Sequence, residues 1–206
     1  MAYPTIDAPY GLKPVNLIGG QVFAGSTRKM RIASGLAANI GFGDLLVKVS
    51  DGTVARSAAT TAKPTGGFAG VFLGCEFINP STGQLQFQQN FISGTTVTSG
   101  FITAYVCDDP DTLFQVAIVS GTTVVTGVQY TAVGENATIV NNTGITAAGN
   151  SQIALLASTA TTDTLPVRIV DVVPDSAYVS GGNVVYPEVI VKLNFGMHAY
   201  QTAIGV

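Results

Sequence analysis

The chain has 206 residues, with nine Lys and Arg against twelve Asp and Glu and a net charge of −3, which leaves too few cations for sequence-independent nucleic-acid binding. Charged residues make up 10% and hydrophobic residues 47%, against roughly 25% charged in an ordinary soluble domain. The apolar runs are short (Val116–Val119, Ile153–Ala157, Val189–Val191), so the roughly 20 consecutive apolar residues of a spanning helix are absent.

The first thirty residues are punctuated by Tyr3-Pro4, Ala8-Pro9, Lys13-Pro14 and Gly19-Gly20. Proline fixes φ and removes a donor, and it pushes the preceding residue towards extended backbone. The opening lacks the basic and apolar regions of a signal peptide, which predicts synthesis in a cytoplasm without export by that route. Residues 1–31 read as an extended N-terminal arm with spaced apolar anchors, suited to lying along another surface. Its candidate partner-contact residues are Tyr3, Pro4, Ile6, Tyr10, Leu12, Arg28, Lys29 and Arg31. The alternative is an N-terminal strand tucked onto its own domain.

From Gly43 the pattern turns to strands. Leu45–Val49 is a β run, and Asp51-Gly52 before Val54 is the strongest short hairpin signal. Phe68–Phe77 reads as a strand, Asn79–Gly83 as a turn, and Gln84–Phe91 as a half-exposed strand of alternating polar and apolar residues. Phe101–Cys107 follows, then a break at Asp108-Asp109-Pro110-Asp111. Further β runs are predicted at Leu113–Val119, Thr122–Val125, Val128–Val133, Leu165–Val173 and Val184–Leu193, with one or two helical turns at Ser151–Ala157. Short strands between Gly-rich turns predict an all-β sandwich or barrel. The break near Pro110 gives two β subdomains, 32–110 and 111–206, with a single interleaved β domain as the alternative. No fixed-period repeat is legible.

Chemistry is sparse. His198 is the single histidine, and no nucleophile motif accompanies it. Asp108, Asp109 and Asp111 could hold Ca²⁺, but they lack the spacing of a calcium loop, and Asp-Pro clusters also form turns. The Gly-Gly pairs at 19, 66 and 181 precede no phosphate-loop Lys, so they read as turn glycines. Asn136 and Asn141 match glycosylation sequons without an export signal to make them relevant. Cys75 and Cys107 have no metal spacing. They read as buried free thiols, with a disulfide as the alternative. Trp is absent, so a sugar-cleaving site would lack its usual stacking platform. No catalytic, cofactor or metal site is expected. A surface this poor in charge is more often buried against other subunits, with a neutral Thr, Ser, Asn and Gly surface as the alternative.

The opening Tyr3-Pro4-Thr5-Ile6-Asp7-Ala8-Pro9-Tyr10-Gly11-Leu12-Lys13-Pro14 resembles the N-terminus of head decoration (capsid cement) proteins of tailed bacteriophages infecting marine or freshwater bacteria. Gly41-Phe42-Gly43-Asp44, Gly70-Val71-Phe72-Leu73-Gly74-Cys75 and Asp108-Asp109-Pro110 are similar to the same group. The resemblance is densest before residue 110 and weak after about 120. It implies a non-enzymatic structural protein of the virion, made in the bacterial cytoplasm and bound outside the phage head. Its partners would be the major capsid protein and copies of itself, a trimer ahead of a dimer, with no nucleic acid and no membrane. The alternative within the virion is a tail or baseplate component or a host-binding, lectin-like module.

Overall fold

The structure, a computed structural model, describes residues 9–119, 130–141, 144–173, 176, 178–180, 183–185 and 187–205. The fold is all-β. Among the described residues fourteen strands run in order: β1 Lys13–Leu17, β2 Arg28–Ile32, β3 Leu45–Lys48, β4 Val54–Arg56, β5 Phe68–Ile78, β6 Leu85–Gln88, β7 Ile102–Cys107, β8 Thr112–Val119, β9 Asn136–Val140, β10 Ala154–Ala160, β11 Val167–Val172, β12 Tyr178–Ser180, β13 Asn183–Val185 and β14 Glu188–Leu193. Among the described residues no helix is long and apolar enough to cross a membrane.

Two sheets close on themselves. In the first, β2, β4, β3, β5 and β7 form a ring, with β6 added on β5. In the second, β8, β10, β9, β11 and β14 form a ring, with β1 added on β8. Closure removes most of the open edges that a flat sheet would leave. Apart from β1, the first barrel is drawn from residues before the Asp108–Asp111 break and the second from residues after it.

The barrels have one topology. In each, the first and third strands are parallel neighbours (β2 with β4, β8 with β10) and every other neighbour in the ring is antiparallel. The likeness reaches single bonds. Gly43 and Gly134 both have φ +91°, a region that favours glycine. Gly43 N donates to Phe72 O and Phe72 N to Asp44 O, while Gly134 N donates to Ile169 O and Ile169 N to Glu135 O. The acid after each glycine then reaches the ring's third strand: Asp44 pairs with Arg56, and Glu135 accepts from Thr159. The architecture is therefore duplicated, although no sequence repeat is legible.

Barrel one is filled by Ile32, Leu46, Val54, Phe72, Phe91, Ile102 and Val106. The core of barrel two, built on Phe114, Ile118, Ile139, Leu155, Ile169 and Val191, runs on without a break into Leu12, Leu45, Phe68 and Val71. The two barrels thus share buried apolar surface, which contributes at roughly 25 cal/mol per Å². Polar contacts reinforce the junction. Ser151 Oγ and Gly41 N both donate to Asp44, Asn141 Nδ2 donates to Ser57 O, and Phe68 N donates to Met197 O.

Several local expectations change. Residues 130–132, expected inside a strand, form a 3-10 turn, and 122–129 lie outside the described residues. The helical turns expected at Ser151–Ala157 are instead mostly strand β10, because Leu155 and Leu156 pair with β8 and Ala154 and Leu155 with β9. Pairing on both sides outweighs the weak helical preference of Ala and Leu. Residues 9–31, expected in an extended arm, contribute β1 and part of β2 to the chain's own sheets. Pro14 is tolerated because β1 is an edge strand with a bulge beside it.

Candidate interaction surface

The outer face of barrel one is set by strand register. Arg31 on β2 pairs with Thr103 on β7, Thr103 with Glu76 on β5, and Glu76 with Phe87 on β6. These four side chains form one row across the sheet. Lys29 opposite Tyr105 and Ile78 opposite Leu85 flank it on the same face. Lys29 Nζ lies 2.9 Å from Glu76 Oε1, and Tyr105 OH donates to Glu76 Oε2 at 2.7 Å. These hydrogen bonds, Tyr105 first and Lys29 second, hold the Glu76 carboxyl below the usual carboxylate range.

The apolar end of this face is unusual. The alternation in β6 is real, but Leu85 and Phe87 point outward while Gln86 and Gln88 are half-buried. Phe87 is 65% exposed and Leu85 56%, and Ile78 is beside Leu85. Together they make an apolar patch next to the Lys29–Glu76 pair. Contiguous apolar surface rimmed by polar groups is a feature of interaction sites.

At the opposite edge, β2 meets β4 only at Ile32 and Val54. Beyond that pair the seam opens into a groove of about 700 Å³ between β2 and the β3–β4 hairpin, lined by Arg28, Arg31, Lys48, Asp51, Phe101 and Tyr200 among others. Arg28 pairs with Asp108 at 2.5 Å, and Tyr200 OH donates to the same carboxylate at 2.8 Å. Burial, then Asp108, raises the Tyr200 pKa. Arg31 stacks on Phe101, 3.7 Å from the ring centre, and Lys48 sits 5.0 Å from the Tyr200 ring. Such contacts contribute about 0.5–1 kcal/mol at exposed sites. Among the described residues, Arg31 and Lys48 form no ion pair.

The residues expected to contact a partner divide into three sets. Tyr3, Pro4 and Ile6 lie outside the described residues. Tyr10 and Leu12 are buried in the chain's own junction, where Leu12 is 0% exposed. Leu12 N donates to Gly43 O and Gly11 N to Ile153 O, so in this conformation neither side chain is offered to another surface. Burial, then the Glu188 carboxylate, raises the Tyr10 pKa. Arg28, Lys29 and Arg31 are exposed and lie together on β2. Sequence reasoning missed Phe87, Leu85, Phe101 and Tyr200. Alternation in Gln84–Phe91 signals a period, but it does not say which face meets water.

The remaining polar candidates have structural roles. His198 is 1% exposed. Its Nδ1 accepts from Tyr200 N, capping the turn Ala199–Gln201, and burial lowers its pKa. The aspartates of the break separate: Asp108 pairs with Arg28, Asp111 with Lys192 at 2.6 Å, and Asp109 Oδ1 accepts from Asp111 N within the turn. Among the described residues no three of His, Cys, Asp and Glu come together as metal ligands. Cys75 and Cys107 are free and buried, and burial pushes the Cys75 thiol up to about 11. Asn136 and Asn141 turn their side-chain amides inward, to Thr162 O and Ser57 O.

No family model matches the chain, and neither the curated proteins nor the solved structures gave a match to it.

Proposed function

We propose that the chain is a non-catalytic structural protein of a virion, bound to the outside of a tailed-phage head and reinforcing it by bridging capsid subunits. The observation that carries the reading is the outer face of barrel one. It presents exposed Phe87, Leu85 and Ile78 beside the cations of β2, on a body with two barrels joined through a buried junction. A rigid body with one amphipathic face suits a clamp, because little conformational entropy is lost when it docks. Burying the apolar patch contributes at roughly 25 cal/mol per Å². Repetition over a symmetric shell multiplies modest contacts through high effective concentration. The buried, neutral His198 and the separated carboxylates support a role without catalysis, since neither supplies an activated group in a cleft.

The test is occupancy on purified phage heads stripped of, or lacking, this protein. Added wild-type protein should bind the shells and raise the temperature at which they release DNA. The variant Phe87→Glu, which changes an exposed residue and so leaves the fold intact, should bind at least about tenfold more weakly, a loss of about 1.4 kcal/mol. Wild-type protein that fails to bind shells, or labels tails alone, would refute the reading.

A further inference from the structure

The duplicated topology exposes a difference between the barrels. In barrel two the first strand, β8, is paired along one edge by β14. Its other edge is shared: β10 takes Ile118 and Val119, and the added strand β1 takes residues 112–115 in antiparallel register. In barrel one the equivalent strand, β2, is paired along one edge by β7 at every residue from Arg28 to Ile32. On its other edge β4 takes Ile32 alone. Among the described residues, no strand stands where β1 stands in barrel two. The groove beside β2 is that vacancy.

We propose that the open edge of β2 accepts an extended, acidic strand from another protein, added antiparallel to Arg28–Arg31 as β1 is added to β8. Strand addition supplies main-chain hydrogen bonds for affinity and uses flanking side chains for selectivity. The flanking chemistry here is cationic. Arg28, Lys29, Arg31 and Lys48 surround the edge against Asp51 alone on the groove wall, in a chain whose net charge is −3. Arg28 and Lys29 have carboxylate partners, whereas among the described residues Arg31 and Lys48 lie over aromatic rings and form no ion pair. A carboxylate on the incoming strand can pair with each of these two without breaking an existing ion pair. Cations on an edge also repel a second copy of the same edge, so the arrangement favours an acidic partner over self-pairing through β2. A peptide fits better than a nucleic acid, because the open feature is a strand edge and because Arg31 covers the Phe101 face on which a base would stack. This inference rests on the topology and charge of barrel one and stands apart from the proposed function.

The experiment is a titration of the full-length protein with a labelled peptide that alternates Glu with Val and Thr, followed by fluorescence anisotropy. The controls are the same peptide with Lys for Glu, the Glu peptide N-methylated at alternate amides, and a single-stranded oligonucleotide. The Glu peptide should bind, more weakly in high salt, and should slow amide hydrogen exchange within β2. The Lys and N-methylated peptides should not bind. The double variant Arg31→Glu, Lys48→Glu should weaken the Glu peptide at least about tenfold. Failure of the Glu peptide to bind, equal binding of the N-methylated peptide, or binding of the oligonucleotide in its place would each overturn the proposal. So would a concentration-dependent dimer of the protein alone that the double variant dissolves.

Discussion

Ser151 Oγ donates a 2.6 Å hydrogen bond to Asp44 Oδ1, joining a loop of barrel two to the start of β3 in barrel one, with both side chains 0% exposed. The same carboxylate accepts from Gly41 N at 2.7 Å and lies 3.2 Å from Arg56 Nε. Charge, capping and junction therefore meet on one buried residue.

Removing that side chain should be expensive. Asp44→Leu takes the acceptor from Ser151 Oγ and Gly41 N and the carboxylate from the buried Arg56, and breaking a buried pair on one side costs about 3–5 kcal/mol. The double variant Asp44→Leu, Arg56→Met should recover much of the loss, since paired removal leaves no orphaned charge. Urea denaturation of the wild type, Asp44→Leu, Arg56→Met and the double variant closes the cycle. The pH dependence has a defined sign. Burial raises the Asp44 pKa above its ordinary 3.8, against the opposing hydrogen bonds and Arg56. The folded state then takes up a proton at Asp44 before the unfolded state does. The resulting gain in stability is complete below 3.8 and is lost as pH rises through the folded value.

Gly43→Ala should destabilise far more than Gly20→Ala. Both glycines have positive φ, but a Cβ at Gly43 would stand 2.7 Å from Leu12 N, whereas a Cβ at Gly20 would meet open space. Backbone strain alone costs about 1–2 kcal/mol, which is the loss expected for Gly20→Ala. At Gly43 the Gly11–Leu12 backbone must also shift, and a loss of at least about 3 kcal/mol is expected. Thermal melts of the two variants side by side read the difference.

His198 gives a slope opposite to that of Asp44. Burial holds its pKa below the ordinary 6.5, with Lys48 acting in the same direction and Asp108 and Asp109 against it. Its contribution to stability is full above 6.5 and is lost as pH falls from there towards the folded value, because the unfolded chain binds the proton first. In His198→Asn, whose side-chain oxygen can still cap Tyr200 N, this part of the slope should vanish. Denaturation at a series of pH values on both proteins measures it.

The thiols should be inert in the folded protein. Cys75 and Cys107 are each 1% exposed, and burial raises both pKa values. The thiolate is the reactive form, so a thiol reagent near neutral pH should label neither cysteine until denaturant is added, and then both. Rapid labelling of the native protein would contradict the burial.

What was legible in the sequence follows from how each signal arises. The β3–β4 hairpin was readable because Asp51-Gly52 is a turn signal in its own right: Gly52 takes φ +83° and Asp51 accepts from Thr53. β5, β7 and β8 were readable as apolar runs. β1 was hidden by Pro14, and β2 by three cations in five residues, since an edge strand can carry residues that a central one would reject. β10 was hidden by Ala, Ser and Thr, whose weak preferences yield to pairing. The duplication lives in backbone topology, and its one short sequence trace is Gly43-Asp44 beside Gly134-Glu135. Of the candidate surface, the basic cluster was visible as composition. The exposed Phe87 and Leu85 were not, because facing direction is set by the register against β5.

The most direct test of the assembly reading is the copy number of this protein in purified particles, measured by quantitative mass spectrometry against the major shell protein. A decorating clamp predicts hundreds of copies, on the order of the shell protein itself because each copy occupies a repeated site. A handful of copies per particle, or none, would contradict it.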